Sequence, residues 1–145
     1  MTFTKIAFLV ALSSSTMLAE DTIKLFSSEY SDTRILTKTS FAISSERFFQ
    51  IPIWNPLNST APTDLNAAIT NANRFVVAHY ETSPEKANFK PASISLQQQN
   101  GRWWYVFWFH SMARPPIRDQ PVVVLMDGTV VVPQITTEPA SIPSR

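Results

Sequence analysis

Apolar residues recur at spacings of three and four through Leu65, Ala68, Ile69, Ala72, Phe75, Val76 and His79, while Asn66, Thr70, Asn73 and Arg74 take the other side. That period predicts one buried helical stripe. Thr63 can cap its start, Asp64 suits the positive end of the helix dipole, and Pro62 lies just upstream. Ser83-Pro84 stops the pattern. Beyond it the period changes to two. The only glycines of the 145-residue chain follow Asn100 and Asp127, and Asn-Gly and Asp-Gly both supply the positive backbone angles of a two-residue hairpin turn. Strands are therefore expected at 92–99 and 102–110 around the first turn, and at 122–126 and 129–133 around the second.

Centring the first hairpin on Asn100-Gly101 sets Gln99 opposite Arg102, Leu96 opposite Tyr105 and Ile94 opposite Phe107. Leu96, Ile94, Tyr105 and Phe107 then share a face that should pack on the helix. The other face carries Ser93, Ser95 and Gln97 beside Trp104, Val106 and Trp108. Residues 20–60, a partner or a ligand must cover it. Pro115-Pro116 bends the connection from 110 to 120, because proline cannot continue a ladder.

The flanking regions read differently. Residues 20–60 are expected to be an irregular N-terminal segment with edge strands, at 41–43 and 48–54. Pro52 weakens the second of these, and Asn55-Pro56 turns the chain. Residues 61–133 hold the helix and two hairpins. The Pro-, Ser- and Thr-rich residues 134–145 are expected to be a flexible tail. Residues 1–19 read as a signal peptide: Lys5, an apolar run from Ile6 to Leu12, then Ala19 before Glu20-Asp21. The run is shorter than the ~20 residues that span a bilayer, so no stable membrane anchor is expected. The chain is expected to be exported, periplasmic or secreted, after cleavage near Ala19-Glu20.

Charge and composition narrow the function. Without Lys5 the basic and acidic residues balance at eleven each. Such a chain has no clustered basic face for nucleic acid or for an anionic membrane surface. A cysteine-free exported domain relies on packing alone, which fits a Gram-negative periplasm better than an animal secretory route. Asn58-Ser59-Thr60 satisfies the glycosylation acceptor rule and reads as a turn before the helix.

The helix followed by Gly-Arg-Trp-Trp-Tyr-Val-Phe-Trp and Val-Val-Val-Leu-Met-Asp-Gly-Thr-Val resembles bacterial PepSY-type and cystatin-like small domains over residues 64–133. The matching positions are Ala68, Ala72, Trp104, Val106, Asp127 and Gly128. Exported immunity proteins with a cone-shaped, nuclear-transport-factor-like fold end in a similar way. The resemblance implies a non-catalytic inhibitory or binding module. The helix and two hairpins predict an α+β fold class, one main helix packed on an antiparallel sheet of about four strands in two hairpins, which the resemblance makes cystatin-like or cone-like. Gln97 to Gly101 occupies the place of the cystatin Gln-x-Val-x-Gly wedge, with Gln99 where those inhibitors carry valine and no later Pro-Trp pair.

Little catalytic chemistry is encoded. There is no cysteine, no glycine is left for a phosphate loop, and no Gly-x-Ser-x-Gly elbow exposes a serine. His79, His110, Glu81 and Asp127 lack metal-ligand spacing. No catalytic residue, metal or cofactor is therefore expected. The aromatic run from Trp103 to Phe109 is the unusual feature; near-continuous apolar runs mark strands buried on both faces. If that face binds, Trp104, Trp108, Arg102, Gln97 and Gln99 are the candidate residues, and a protein is the expected partner. A small hydrolase or ligand-pocket protein on a cone-like fold is the alternative.

Overall fold

The computed structural model describes residues 21–32, 34–80, 89–112 and 119–140. The expected signal peptide, the expected helix stop at Ser83-Pro84, Glu81, the expected bend at Pro115-Pro116 and the part of the expected tail beyond residue 140 lie outside them. The chain order is β1 (Thr22–Ser31), β2 (Ile35–Ser44), α1 (Ser45–Gln50), α2 (Leu65–His79), β3 (Phe89–Gln99), β4 (Arg102–Ser111), β5 (Gln120–Leu125), β6 (Val130–Val131) and β7 (Gln134–Pro139). The strands form two antiparallel sheets, β1-β2-β7 and β3-β4-β5-β6.

This architecture corrects the expected fold class. The molecule is mostly β, with seven strands in two sheets and two helices among the described residues, rather than one helix on a single four-stranded sheet. The physical reason lies in residues 22–44. Their strands carry hydroxyl residues on both faces, so the alternation that marks a strand is muted. Their turn uses no glycine: the Asp32 carboxylate accepts from the N–H groups of Arg34 (2.8 Å) and Ile35 (2.7 Å), an Asx turn. These two N–H groups hold the Asp32 carboxyl below the ordinary carboxylate range. Residues 134–139, expected in the tail, add β7 to the far edge of β2, from Ile35↔Pro139 to Ser40↔Gln134.

The expected strand at 48–54 is also replaced. Ser44 caps α1, its hydroxyl accepting from Arg47 N–H at 3.2 Å, and the helix delivers Phe48 to the core while Phe49 stays exposed. The following stretch forms no strand; the bridge Ile53↔Arg102 and the indole N–H of Trp103, donating to the Trp54 carbonyl at 2.9 Å, tie it to sheet β3-β4-β5-β6.

Helix α2 occupies the predicted stripe, with Ala68, Ala72, Phe75 and Val76 buried. Its cap is Asp64, which accepts from Ala67 N–H at 2.8 Å, not Thr63. Thr63 instead donates to the Met126 carbonyl (2.8 Å), anchoring the helix start to the second hairpin. His79 ends the helix exposed, stacked on Phe75 at 3.9 Å. Among the described residues no helix is long and apolar enough to cross a membrane.

The first hairpin has the register expected for a two-residue turn. Gln99 faces Arg102, Leu96 faces Tyr105 and Ile94 faces Phe107, and Asn100 and Gly101 both have positive φ, 53° and 73°. Ile94 and Leu96 nevertheless remain 41 % and 39 % exposed, because α2 lies over β4, β5 and β6 and leaves β3 as an uncovered edge. The second hairpin turns through three residues rather than two. Leu125 N–H bonds the Thr129 carbonyl and Gly128 N–H the Leu125 carbonyl, so Met126, Asp127 and Gly128 form the loop, and only the last has positive φ (86°).

Strand β4 is buried on both faces. Tyr105 donates its hydroxyl to the Thr63 carbonyl (3.1 Å) beside α2, and burial, with the nearby Asp64 charge, raises its pKa. On the other face Trp108 meets Phe26 of β1 edge-on, with centroids 5.8 Å apart. Sheet β1-β2-β7 and α1 therefore cover the face that the sequence left open. Pro121 is tolerated in β5 because β6 pairs only with Val123 and Val124, so no neighbour on that side needs its missing N–H.

Candidate functional site

The inner face of β2 changes character along its length. Ile43 and Phe41 stand at one end, Thr39 and Thr37 at the other. Their β1 partners follow suit: Ile23 and Phe26 oppose the apolar pair, Ser28 and Tyr30 the threonines. A bulge at Leu25 turns both Leu25 and Phe26 inward, which keeps that end aromatic. Where Ser28, Thr37 and Thr39 stand in place of larger apolar residues, they no longer fill the space to the opposite sheet. A cleft of about 240 Å³ opens there, between Ser28, Tyr30, Thr37 and Thr39 on one side and Trp108, Pro121 and Asp119 on the other.

The two walls differ chemically. Trp108 is half-buried, and its contact with Phe26 is edge-to-face at 83°. Asp119 stands at the start of β5, and His110, at the end of β4, donates Nδ1–H to its Oδ1 at 2.7 Å; a carboxylate can only accept, which fixes the direction. Glu29 also borders the cleft. Strand alternation, however, sends its side chain to the outer face with Lys38, its partner across the ladder.

The residues named from the sequence are dispersed. Trp104 is only 3 % exposed and belongs to the core. Arg102 lies over the Phe48 and Phe49 rings, 5.5 Å and 5.1 Å from their centroids, and donates to the Phe49 carbonyl (3.3 Å), so its guanidinium fastens α1 to the hairpin. Gln97 pairs with Trp104 and is half-buried, and Gln99 is exposed at the hairpin tip. Trp108 alone of the five lines the cleft. Sequence reasoning missed Ser28, Tyr30, Thr37, Thr39 and Asp119. A period-two reading of Phe26-x-Ser28-x-Tyr30 and Thr37-x-Thr39-x-Phe41 would have put the hydroxyls on one face, although nothing in it would have set them opposite Trp108.

Elsewhere, a shallower groove of about 450 Å³ runs between α2 and β6, by Asn71, Arg74, His79 and Val130. Asn71 is already committed there, donating to the Gly128 carbonyl at 2.9 Å. His79 and His110 sit on different elements. Among the described residues no three His, Asp or Glu side chains gather as a metal site.

No family model matches the chain, and neither does any curated protein or solved structure. Nothing in these comparisons identifies a PepSY-type or cystatin-like domain.

Proposed function

We propose that the chain is an exported, non-catalytic binding module, of the kind that serves as an inhibitor or immunity-type partner, and that it binds through the cleft between its two sheets. The observation that carries this reading is Trp108. It borders the cleft, set against a wall of hydroxyls, whereas Trp104 belongs to the core. A half-buried aromatic beside convergent polar groups is the usual composition of a recognition site. The cleft is half-open and smaller than the about 300–1,000 Å³ clefts that enclose drug-sized ligands, which favours a binding module over a pocket enzyme. Affinity capture from the protein's own envelope extract, with wild type and folded Trp108→Ala as parallel baits, tests it. A partner held by the first and lost from the second supports the cleft; equal retention by both refutes it.

A further inference from the structure

We infer that the inter-sheet cleft receives one neutral pyranose ring, as a free sugar or as the end of a glycan; the inference rests on the cleft being the recognition site. The charges of the described residues disfavour the main competitors. Among the described residues the cleft wall carries no Lys or Arg to neutralise a phosphate or carboxylate ligand. Its one inward carboxylate, Asp119, is already engaged by His110 Nδ1–H at 2.7 Å, so an ammonium group would have to compete with the imidazole. What remains is suited to hydroxyls. Ser28, Tyr30 and Thr37 can each donate and accept, as can every hydroxyl of a sugar, and the second Asp119 oxygen adds an acceptor. Trp108 supplies the apolar surface on which the C–H face of a pyranose can lie while its hydroxyls point to the opposite sheet. Size agrees: about 240 Å³ accommodates a single ring rather than an extended chain.

Calorimetric and tryptophan-fluorescence titration of the purified protein tests this, with glucose, galactose, mannose and N-acetylglucosamine, their oligosaccharides, and inorganic phosphate and lysine as charged probes. Thr37→Val keeps shape and strand propensity while removing one hydroxyl, and Trp108→Ala removes the platform. A saturable response to at least one neutral sugar, weakened about tenfold or more in both variants, is expected. A response to the monosaccharide identifies the free sugar as ligand, and a response to the oligosaccharide alone identifies a glycan end. No saturable response to any neutral sugar overturns the inference, as does a response unchanged in both variants or a stronger one to phosphate or lysine. If sugars fail while Trp108→Ala still loses a captured partner, the cleft stands and only the carbohydrate is refuted; if both fail, the cleft itself is not the site.

Discussion

Asp127 sits in the loop between β5 and β6, where its carboxylate accepts from Thr129 N–H at 3.0 Å and pairs with the Arg47 guanidinium of α1. Arg47 also donates to the Thr129 hydroxyl at 2.9 Å. One side chain thus closes a turn and ties two distant parts of the chain. Burial pushes the Asp127 carboxyl up, but the Thr129 N–H, the Arg47 guanidinium and the Thr129 hydroxyl outweigh it, leaving the pKa below the ordinary carboxylate value. The folded chain therefore takes up this proton less readily than the unfolded chain. Its contribution is complete above the unfolded carboxylate pKa and is lost as pH falls through the lowered folded value. Denaturation midpoints of wild type and Asp127→Asn, compared from neutral to acid pH, should converge on acidification, since the variant has already lost the ion pair. A constant gap between the two curves would show that Asp127 does not titrate with folding.

At the scale of elements, β7 bears most on the expected architecture. All six of its residues are exposed, so it brings little apolar burial and holds β2 chiefly through the ladder. Without it β1 and β2 would be a two-stranded ribbon, marginal on its own and dependent on the opposite sheet. Ending the chain after Pro133 should cost about 1–2 kcal/mol, the small net worth of several ladder hydrogen bonds after the freed chain regains its entropy. Hydrogen exchange locates the effect. Amides of β2 that face β7 should lose protection while those of β4 and β5 keep it. Uniform loss across both sheets would mean that β7 supports the whole molecule rather than its own sheet.

Across the whole molecule, the two faces of β4 answer to different layers. Phe107 is fully buried, on the face that carries Tyr105 towards α2, whereas Trp108 is half-buried against Phe26 and the cleft. Phe107→Ala should therefore cost about 3–5 kcal/mol through lost burial and the cavity left behind. Trp108→Ala should cost less than half as much, because part of the ring already faces solvent. Thermal melts of the two variants decide it. Equal collapse would place Trp108 in the continuous core and deny the cleft its aromatic wall. A nearly unchanged Trp108→Ala melt with Phe107→Ala unfolded would leave Trp108 free for recognition.

By itself the sequence determined the elements whose causes are local. The α2 stripe needs only a 3.6-residue period, and Asn100-Gly101 needs only two residues that tolerate positive φ, so helix, hairpin and the Leu96–Tyr105 register were all legible. Even there the cap moved from Thr63 to Asp64, because the Thr63 hydroxyl found the distant Met126 carbonyl. The β1-β2-β7 sheet was not legible. Its inner face mixes Ile, Phe, Thr, Ser and Tyr, its first turn rests on one aspartate, and its third strand arrives from the far end of the chain. Burial of Thr39 and Phe41 depends on which surface lies opposite, a non-local fact that no window of residues contains. The candidate site has the same origin. Trp108 stands out in the sequence for its aromatic run, but Thr37, Thr39 and Ser28 become cleft residues only because two sheets pack tightly at their phenylalanine end and part where the side chains shorten.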